Sequence, residues 1–342
     1  HCKILFMKIA IVKLSALGDI IHAMVVLQFI KKYNHQIEID WIVDEDYKEL
    51  LSNHPDINKV HTVQLKKAKQ SKSLVLLFKE LAKVRKFGSY DLVVDMQGLI
   101  KSAVISRLIH SPVTLGFDKK SIRESFASIF YNQTFNINYD QNVIERNFEL
   151  IKFALKLTCD KVEIYDKVPF LFANNSKLTL NYLKVKNIII LIPGASLSSK
   201  RYPIEKFAEF VNSLDAHYLV IWGNEEEKIL AQKIKRISPN ISICEKLSIN
   251  SLISLVSQAD LVIGPDTGPT HISWAMNVPS ITLFGPTPGY RNTFETKINR
   301  IIESSSEVDP NKTDKNDNSI ENINVKRVLK ISKELLKNNK IE

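Results

Sequence analysis

The apolar positions in the first half of the chain alternate between short continuous runs and stretches with helical spacing. Helical spacing follows Asp19 and recurs at residues 74–87, 99–109 and 142–157. The short runs are typical of buried strands and cover residues 8–14, 37–43, 59–65 and 91–96. Strands that alternate with helices predict βαβ units, and therefore a parallel sheet with helices on both faces.

The same pattern begins again after a polar stretch without periodicity, "TCDKVEIYDKVPFLFANNSK". Strand-like runs then cover 187–193, 217–223 and 259–264, and helical spacing covers 204–214 and 225–237. A domain boundary near residues 165–185 follows. The predicted organisation is an N-terminal Rossmann-like domain, a C-terminal Rossmann-like domain and a closing basic helix that is free to pack across to the first domain, at residues 7–170, 185–325 and 326–342.

Length and composition agree with two α/β domains. A chain of 342 residues exceeds the roughly 250–300 at which one core stops growing. Hydrophobic residues make up 44% and charged residues 25%, as in soluble proteins, and no apolar run approaches the roughly 18 residues of a transmembrane helix. Three widely separated cysteines predict neither a disulfide framework nor a zinc site, so a reducing cytoplasm is the simplest location. Residues 1–6, before Met7, are treated as a cloning remnant.

Four strand ends in the second half carry glycine or proline: "IPGAS", "WGNEE", "IGPDTG" and "FGPTPG". Each of these loops alone is typical of an ordinary turn. Together they would lie along one edge of a parallel sheet, where ligands bind and helix N-termini offer N–H groups to anions. A phosphate-bearing ligand fits this edge best, and the net charge of +10 is compatible with an anionic substrate.

Several residues of this edge are candidates for contacts with such a ligand. Asp266, Thr267 and Gly268 directly precede a helix, Lys200 supplies a cation for a diphosphate, and Glu225 has the reach to bind a ribose diol. A plain NAD-binding domain is disfavoured because no loop has the G-x-G-x-x-G spacing.

Six segments together resemble the lipopolysaccharide heptosyltransferases, which are GT-B glycosyltransferases. The resemblance runs from about Met7 to the closing helix, and "DMQGLIKSA" favours the type I enzymes over type II. The "S-x-x-GD" and "DTG-x-x-H" elements are the most specific, with one in each domain. The segments are "VKLSALGDIIHA", "DMQGLIKSA", "RESFASIFYN", the Lys200 loop, "WGNEEE" and "GPDTGPTHISWA".

This resemblance implies a GT-B fold, in which two Rossmann-like doubly wound domains face a central cleft. It implies inverting transfer of heptose from ADP-L-glycero-D-manno-heptose to the Kdo of Kdo2-lipid A, in inner-core synthesis at the cytoplasmic face of the inner membrane. A peripheral membrane location is therefore expected. No metal cofactor is expected to be required, and stimulation by a divalent cation is left open.

The resemblance also assigns roles to residues. Asp19 matches the catalytic base, although a helix cap is the competing interpretation of this acid. Lys200 is the second catalytic residue, which stabilises the leaving diphosphate. The donor would be bound by Ser196, Glu225, Asp266, Thr267, Gly268, His271 and Thr287. The acidic acceptor would be bound by Gly18, Lys66, Lys67, Lys69, Lys101 and Arg123.

Two alternatives stay open from the sequence. One is a related GT-B transferase with another acceptor, such as a type II heptosyltransferase, or with another nucleotide sugar. The other is a two-lobed binding protein without chemistry. A nucleic-acid partner is not expected, because the basic residues are dispersed and no aromatic-interleaved binding motif is present.

Overall fold

The computed structural model describes residues 7–174, 187–310 and 312–338. The chain forms two compact units, within residues 1–170 and 171–342. Residues 1–6, interpreted above as a cloning remnant, and residues 175–186 of the boundary region lie outside the described residues. No helix in the described ranges has the length and apolar character needed to cross a membrane.

The first unit is built on a parallel sheet of six strands in the order β3-β2-β1-β4-β5-β6. Val12 at the end of β1 lies opposite Ile42 on one side and Asp95 on the other. Strands β1, β2 and β4 are almost fully buried because helices cover both faces of the sheet. The strands are β1 (Lys8–Val12), β2 (Glu38–Asp44), β3 (Lys59–Val63), β4 (Leu92–Asp95), β5 (Thr114–Phe117) and β6 (Gln133–Phe135).

The helices that accompany this sheet in residues 7–170 are α1 (Leu17–Met24), α2 (Val26–Tyr33), α3 (Lys48–Leu51), α4 (Leu65–Gln70), α5 (Leu74–Val84), α6 (Ile100–Leu108) and α7 (Val143–Leu155). The first predicted helix is divided in two at Val25. The predicted strands and the long helices α5, α6 and α7 are confirmed. Strands β5 and β6 were not predicted, because their sequences, "TLGF" and "QTF", do not form continuous apolar runs.

The second unit repeats the topology, with the strand order β12-β11-β10-β7-β8-β9. Counted from its own first strand this is the order of the first unit, which is that of the dinucleotide-binding folds. The strands are β7 (Ile188–Leu191), β8 (His217–Val220), β9 (Ile241–Ile243), β10 (Leu261–Pro265), β11 (Ser280–Phe284) and β12 (Asn299–Glu303). The helices are α8 (Ile204–Ser213), α9 (Glu225–Ile237), α10 (Ile249–Val256), α11 (Gly268–Ala275), α12 (Gly289–Asn292) and α13 (Val325–Asn338).

The closing helix α13 belongs to the core of the second unit. It packs against α8, β10 and β11, and it buries Val328, Ile331 and Leu335, which share one helical face. This burial explains why a strongly basic helix is ordered there. The idea that the helix also packs across to the first domain stays a prediction.

Candidate functional site

Each sheet has one point at which the chain leaves two neighbouring strands in opposite directions. In the first unit this switch point lies between β1 and β4, and in the second unit it lies between β7 and β10. Loops that follow such strands diverge to opposite faces of the sheet, so a crevice opens at the carboxyl ends. Asp19, Lys200 and Asp266 all lie in the segments that directly follow these strands.

Asp266, directly after β10, is the centre of a hydrogen-bonded cluster in the second unit. Lys200 Nζ donates to Asp266 Oδ2 at 2.8 Å, and His271 Nε2 lies 3.0 Å from Oδ1. Thr287 Oγ1 and Asn292 Nδ2 also donate to Oδ2, at 3.1 and 3.4 Å. Four side chains, from the loops after β7 and β11 and from helices α11 and α12, are therefore tied to one carboxylate, and we call this group the Asp266 cluster.

The Asp266 cluster keeps its central carboxyl group ionised. Burial alone would raise the pKa of Asp266, but the Lys200 charge and the hydrogen bond from His271 outweigh it and hold the pKa well below its usual range. The side chains of Lys200 and Asp266 are only 15% and 11% exposed. Lys200 is thus paired with Asp266, and both oxygens of Asp266 accept hydrogen bonds.

The other donor-binding candidates lie at the same carboxyl edge, in different surroundings. Thr267 is the residue before α11, and Gly268 is the first residue of that helix, so their backbone stands at the positive end of its dipole. Thr287 is buried, whereas Ser196 is exposed on the loop after β7. The structure therefore brings Lys200, Asp266, His271 and Thr287 into direct contact.

Glu225 is the first residue of α9, and its side chain points to solvent. Its side chain is 80% exposed and faces Lys228 at 3.8 Å, one turn further along α9. Glu227 instead accepts a hydrogen bond from the Gly223 amide at 2.7 Å, and a Cβ added to Gly194 would collide with its carboxyl group. Glycine at 194 thus makes room for Glu227. Sequence reasoning missed this acid, because three glutamates in a row do not reveal which one turns inward.

In the first unit, Asp19 is the third residue of α1, and its side chain is exposed. Its Oδ2 accepts a hydrogen bond from the backbone amide of Ala16 at 3.1 Å. The structure thus has Asp19 in the capping arrangement. The predicted role as catalytic base is compatible with this hydrogen bond, because the bond uses one carboxylate oxygen and the other oxygen can take a proton. Gly18 precedes it within the first turn, and His22, one turn further on, is buried.

The loop before Asp19 is held by the turn that follows β4. Gln97 Oε1 accepts from the amides of Leu14 and Ser15, at 3.0 and 3.2 Å, and Lys13 Nζ donates to the Met96 carbonyl at 2.9 Å. Gly98 has a φ of 69°, a left-handed conformation that favours glycine, and this allows the tight turn. The motif "DMQG" therefore has a structural function that its spacing alone did not show.

Asp95, the last residue of β4, holds this turn in place through hydrogen bonds. It is fully buried, accepts from the amides of Gln97 and Gly98 at 2.8 and 3.2 Å, and receives the Tyr131 hydroxyl at 2.8 Å. Burial raises the pKa of Asp95, against the opposing effect of these hydrogen bonds. At the switch point of the first unit, hydrogen bonds thus hold together the loop after β1 and the turn after β4. The exposed Asp19 follows directly after this loop.

The acceptor-binding candidates of the first unit are spread along its surface. Lys66, Lys67 and Lys69, here called the α4 lysines, are exposed on a short helix and not on a loop, and Lys66 pairs with Asp46 at 2.8 Å. Lys101 Nζ donates to Ser15 Oγ at 3.2 Å, in the loop between β1 and α1. Arg123 is exposed.

Among the described residues, no group of three or more His, Cys, Asp or Glu side chains could hold a metal ion. The prediction that no metal cofactor is required stays a prediction.

Comparisons with known proteins agree on one family. The sequence model of glycosyltransferase family 9 (heptosyltransferase) matches residues 77–322. Lipopolysaccharide heptosyltransferase 1 of Campylobacter coli is 42% identical over 348 residues, which cover 96% of this chain and 99% of the relative. The resemblance drawn from the sequence motifs is therefore confirmed.

Solved structures show the same fold. The structure of E. coli heptosyltransferase WaaC with ADP has a TM-score of 0.78 at 23% identity, covering 96% of this chain and 100% of that one. WaaC with ADP-2-deoxy-2-fluoro heptose gives 0.75 at 23% identity, covering 95% and 99%. The predicted α/β fold of GT-B type, with two Rossmann-like units, is confirmed.

Proposed function

The chain belongs to glycosyltransferase family 9, the heptosyltransferases, and from that membership we propose that it transfers heptose from ADP-L-glycero-D-manno-heptose to the Kdo of Kdo2-lipid A. It is an enzyme that transfers heptose in lipopolysaccharide inner-core synthesis, so the alternative of a binding protein without chemistry is set aside. The donor, the acceptor and the residue roles given below are proposals.

The observation that carries the donor assignment is the Asp266 cluster at the second switch point. A diphosphate at this edge would meet the Lys200 ammonium and the N-terminal end of α11, which begins at Gly268. Negative charge grows on the leaving diphosphate as the glycosidic bond breaks, and a preorganised cation stabilises it. The Lys200 ammonium has three N–H donors, so we propose that it keeps its hydrogen bond to Asp266 and donates another to the diphosphate.

Asp266 then acts through Lys200 and the α11 loop, since four donors already occupy its oxygens. This differs from the expectation drawn from the sequence, in which Asp266 itself binds the donor. For the ribose diol we favour Glu227 over Glu225, because Glu227 lies over the glycine-containing loops and Glu225 faces solvent.

The acceptor reaction is assigned to the first unit. The Asp19 carboxylate would take the proton from the attacking Kdo hydroxyl, whose oxygen forms a bond to the anomeric carbon of heptose as the bond to the diphosphate breaks. Attack from the face opposite the leaving group inverts the anomeric configuration. Asp19 is exposed to an approaching substrate, and the bond from Ala16 holds its carboxylate in place.

The acceptor carries carboxylates and phosphates, so it requires cations around Asp19. The α4 lysines, Lys101 and Arg123 provide them, and Arg123 is the best candidate for a paired contact because guanidinium binds such groups through two parallel hydrogen bonds. A lipid acceptor also implies that the enzyme works at the cytoplasmic face of the inner membrane.

A single assay tests the proposal. The purified chain is incubated with ADP-heptose and either Kdo2-lipid A or the same lipid already carrying one heptose, and products are read by mass spectrometry. Heptosylated Kdo2-lipid A together with ADP is the expected result. Transfer only to the lipid that already carries heptose would identify a type II enzyme instead. Parallel reactions with EDTA and with added Mg²⁺ determine whether a divalent cation is needed or stimulates.

A further inference from the structure

Helix α5 presents apolar side chains to solvent on one face. Leu74, Val75 and Phe78 are 69%, 66% and 67% exposed, and they lie together because residues four apart share a helical face. Scattered exposed apolar residues are common on soluble proteins, but a group of three large ones marks a surface that contacts another apolar phase. We call these three residues the α5 apolar patch.

The opposite face of α5 fixes this orientation. Glu80 and Val84 are buried there, and Glu80 Oε2 accepts a hydrogen bond from the Gln64 amide at 2.9 Å. At the start of the helix, Ser73 accepts from the Leu76 amide at 3.2 Å. Because the inner face is anchored and the N-terminus capped, the α5 apolar patch cannot turn inward without breaking these contacts.

The charge around the patch has one sign. Between Leu65 and Lys86 the chain carries seven lysines and one arginine against a single acid, so this segment holds a net charge of +7 out of +10 for the whole chain. The single acid is the buried Glu80, so the surface of the segment is cationic. An amphipathic helix with lysines beside its apolar residues is typical of a protein that lies on an anionic membrane surface.

The patch also lies near the acceptor edge. Helices α4 and α5 follow the carboxyl end of β3, and Lys66 of α4 bonds to Asp46, which follows the carboxyl end of β2. The segment therefore stands on the same edge of the first sheet as Asp19. A membrane bound at α5 would lie close to the site where a lipid acceptor has to arrive.

We propose that the α4–α5 segment, residues 65–86, is the membrane-binding surface of this enzyme, and that its α5 apolar patch enters the interface of a bilayer containing anionic lipid. The alternative that a second copy of the chain covers this surface is disfavoured, because two segments of net charge +7 repel each other. The inference extends the proposed function, from which it takes only that the acceptor is a membrane lipid.

Flotation with vesicles tests this without donor or acceptor. The full chain is mixed with phosphatidylcholine vesicles, or with vesicles in which part of the lipid is phosphatidylglycerol. We expect the protein to float with the anionic vesicles only and to detach as salt rises, since each basic residue near the surface contributes about fivefold. The variant Leu74→Ser/Phe78→Ser should bind at least about tenfold more weakly, because it loses most of its buried apolar area.

A matched control makes the same change elsewhere. Ile229 and Ile237 on α9 of the second unit are also about half exposed, and Ile229→Ser/Ile237→Ser should float like wild type. Phe78→Trp gives a further test. Trp41 and Trp274 are buried and Trp222 is partly buried in the second unit, so a blue shift on adding anionic vesicles that the wild type does not show reports entry of residue 78 into lipid. Circular dichroism confirms that each variant is folded.

Three results would overturn the inference: no flotation of the wild type, equal flotation of the Leu74→Ser/Phe78→Ser variant, or a concentration-dependent dimer that this variant abolishes. Heptosyl transfer is measured in a separate assay, with a short soluble acceptor that has no acyl chains. The Leu74→Ser/Phe78→Ser variant should keep full turnover on that soluble acceptor, so membrane binding and catalysis can fail independently.

Discussion

Replacing Asp266 by asparagine removes the negative charge of the Asp266 cluster and keeps the shape of its side chain. Lys200 is then left with its charge only 15% exposed and without a counterion. Removing one partner of a buried ion pair costs about 3–5 kcal/mol, and this partly exposed pair should lie near the lower end, at about 3 kcal/mol. For a unit of this size, that loss lowers the melting temperature by about 6–12 °C.

The pH dependence of the melting temperature identifies the charge as the cause. Because the pKa of Asp266 is lowered in the folded chain, its contribution to stability is complete above the ordinary value of about 4 and is lost as pH falls further toward the folded pKa. The difference between wild type and Asp266→Asn should therefore be present at pH 5 and above and shrink below pH 4. Differential scanning calorimetry over this range measures it.

Lys200→Met provides the matched control, since it removes the other charge of the pair. Each single variant should be destabilised, and the double variant should lose about 2 kcal/mol less than the two single losses together, because neither charge is then left unpaired. A melting temperature of Asp266→Asn within about 1 °C of wild type at pH 7 would refute the reasoning. In kinetics, Lys200→Met should lower turnover more than donor affinity, which a purely ground-state contact would not do.

Three further predictions concern the substrates. Asp19→Asn should fold and bind ADP normally but lose about 10²–10⁴ in turnover, because asparagine can still accept from Ala16 but cannot take a proton; near-normal turnover would leave Asp19 as a cap only. Glu227→Gln should raise the donor KM more than its neighbour variant Glu225→Gln, and the reverse order would reassign the ribose contact. Replacing the α4 lysines by alanine should raise the acceptor KM most at low salt, and Arg123→Ala should raise it at all salt concentrations. An acceptor KM that is insensitive to salt and unchanged in both variants would place the acceptor elsewhere.

The architecture of the chain follows from local patterns. Buried parallel strands need continuous apolar runs, and their covering helices need an apolar stripe. The strands β1, β4, β7 and β10 and the long helices α5 to α9 were therefore visible as alternating periods. The short strands β5, β6 and β9 escaped, because polar residues or glycine interrupt their apolar runs. The glycines and prolines at the strand ends indicated the ligand edge for the same local reason.

The partners within the site were decided by the tertiary structure. Lys200 and Asp266 are 66 residues apart, and they meet because the sheet order sets β7 beside β10, which no local pattern encodes. Likewise, Glu227 and not Glu225 turns over Gly194, because the rotation of α9 against the sheet selects one of three adjacent acids. The sequence by itself thus determined which residue types stand at which strand ends, since periodicity and glycine act locally. Only the packing of the strands decided which charges neutralise each other, because that depends on distances between segments far apart in the chain.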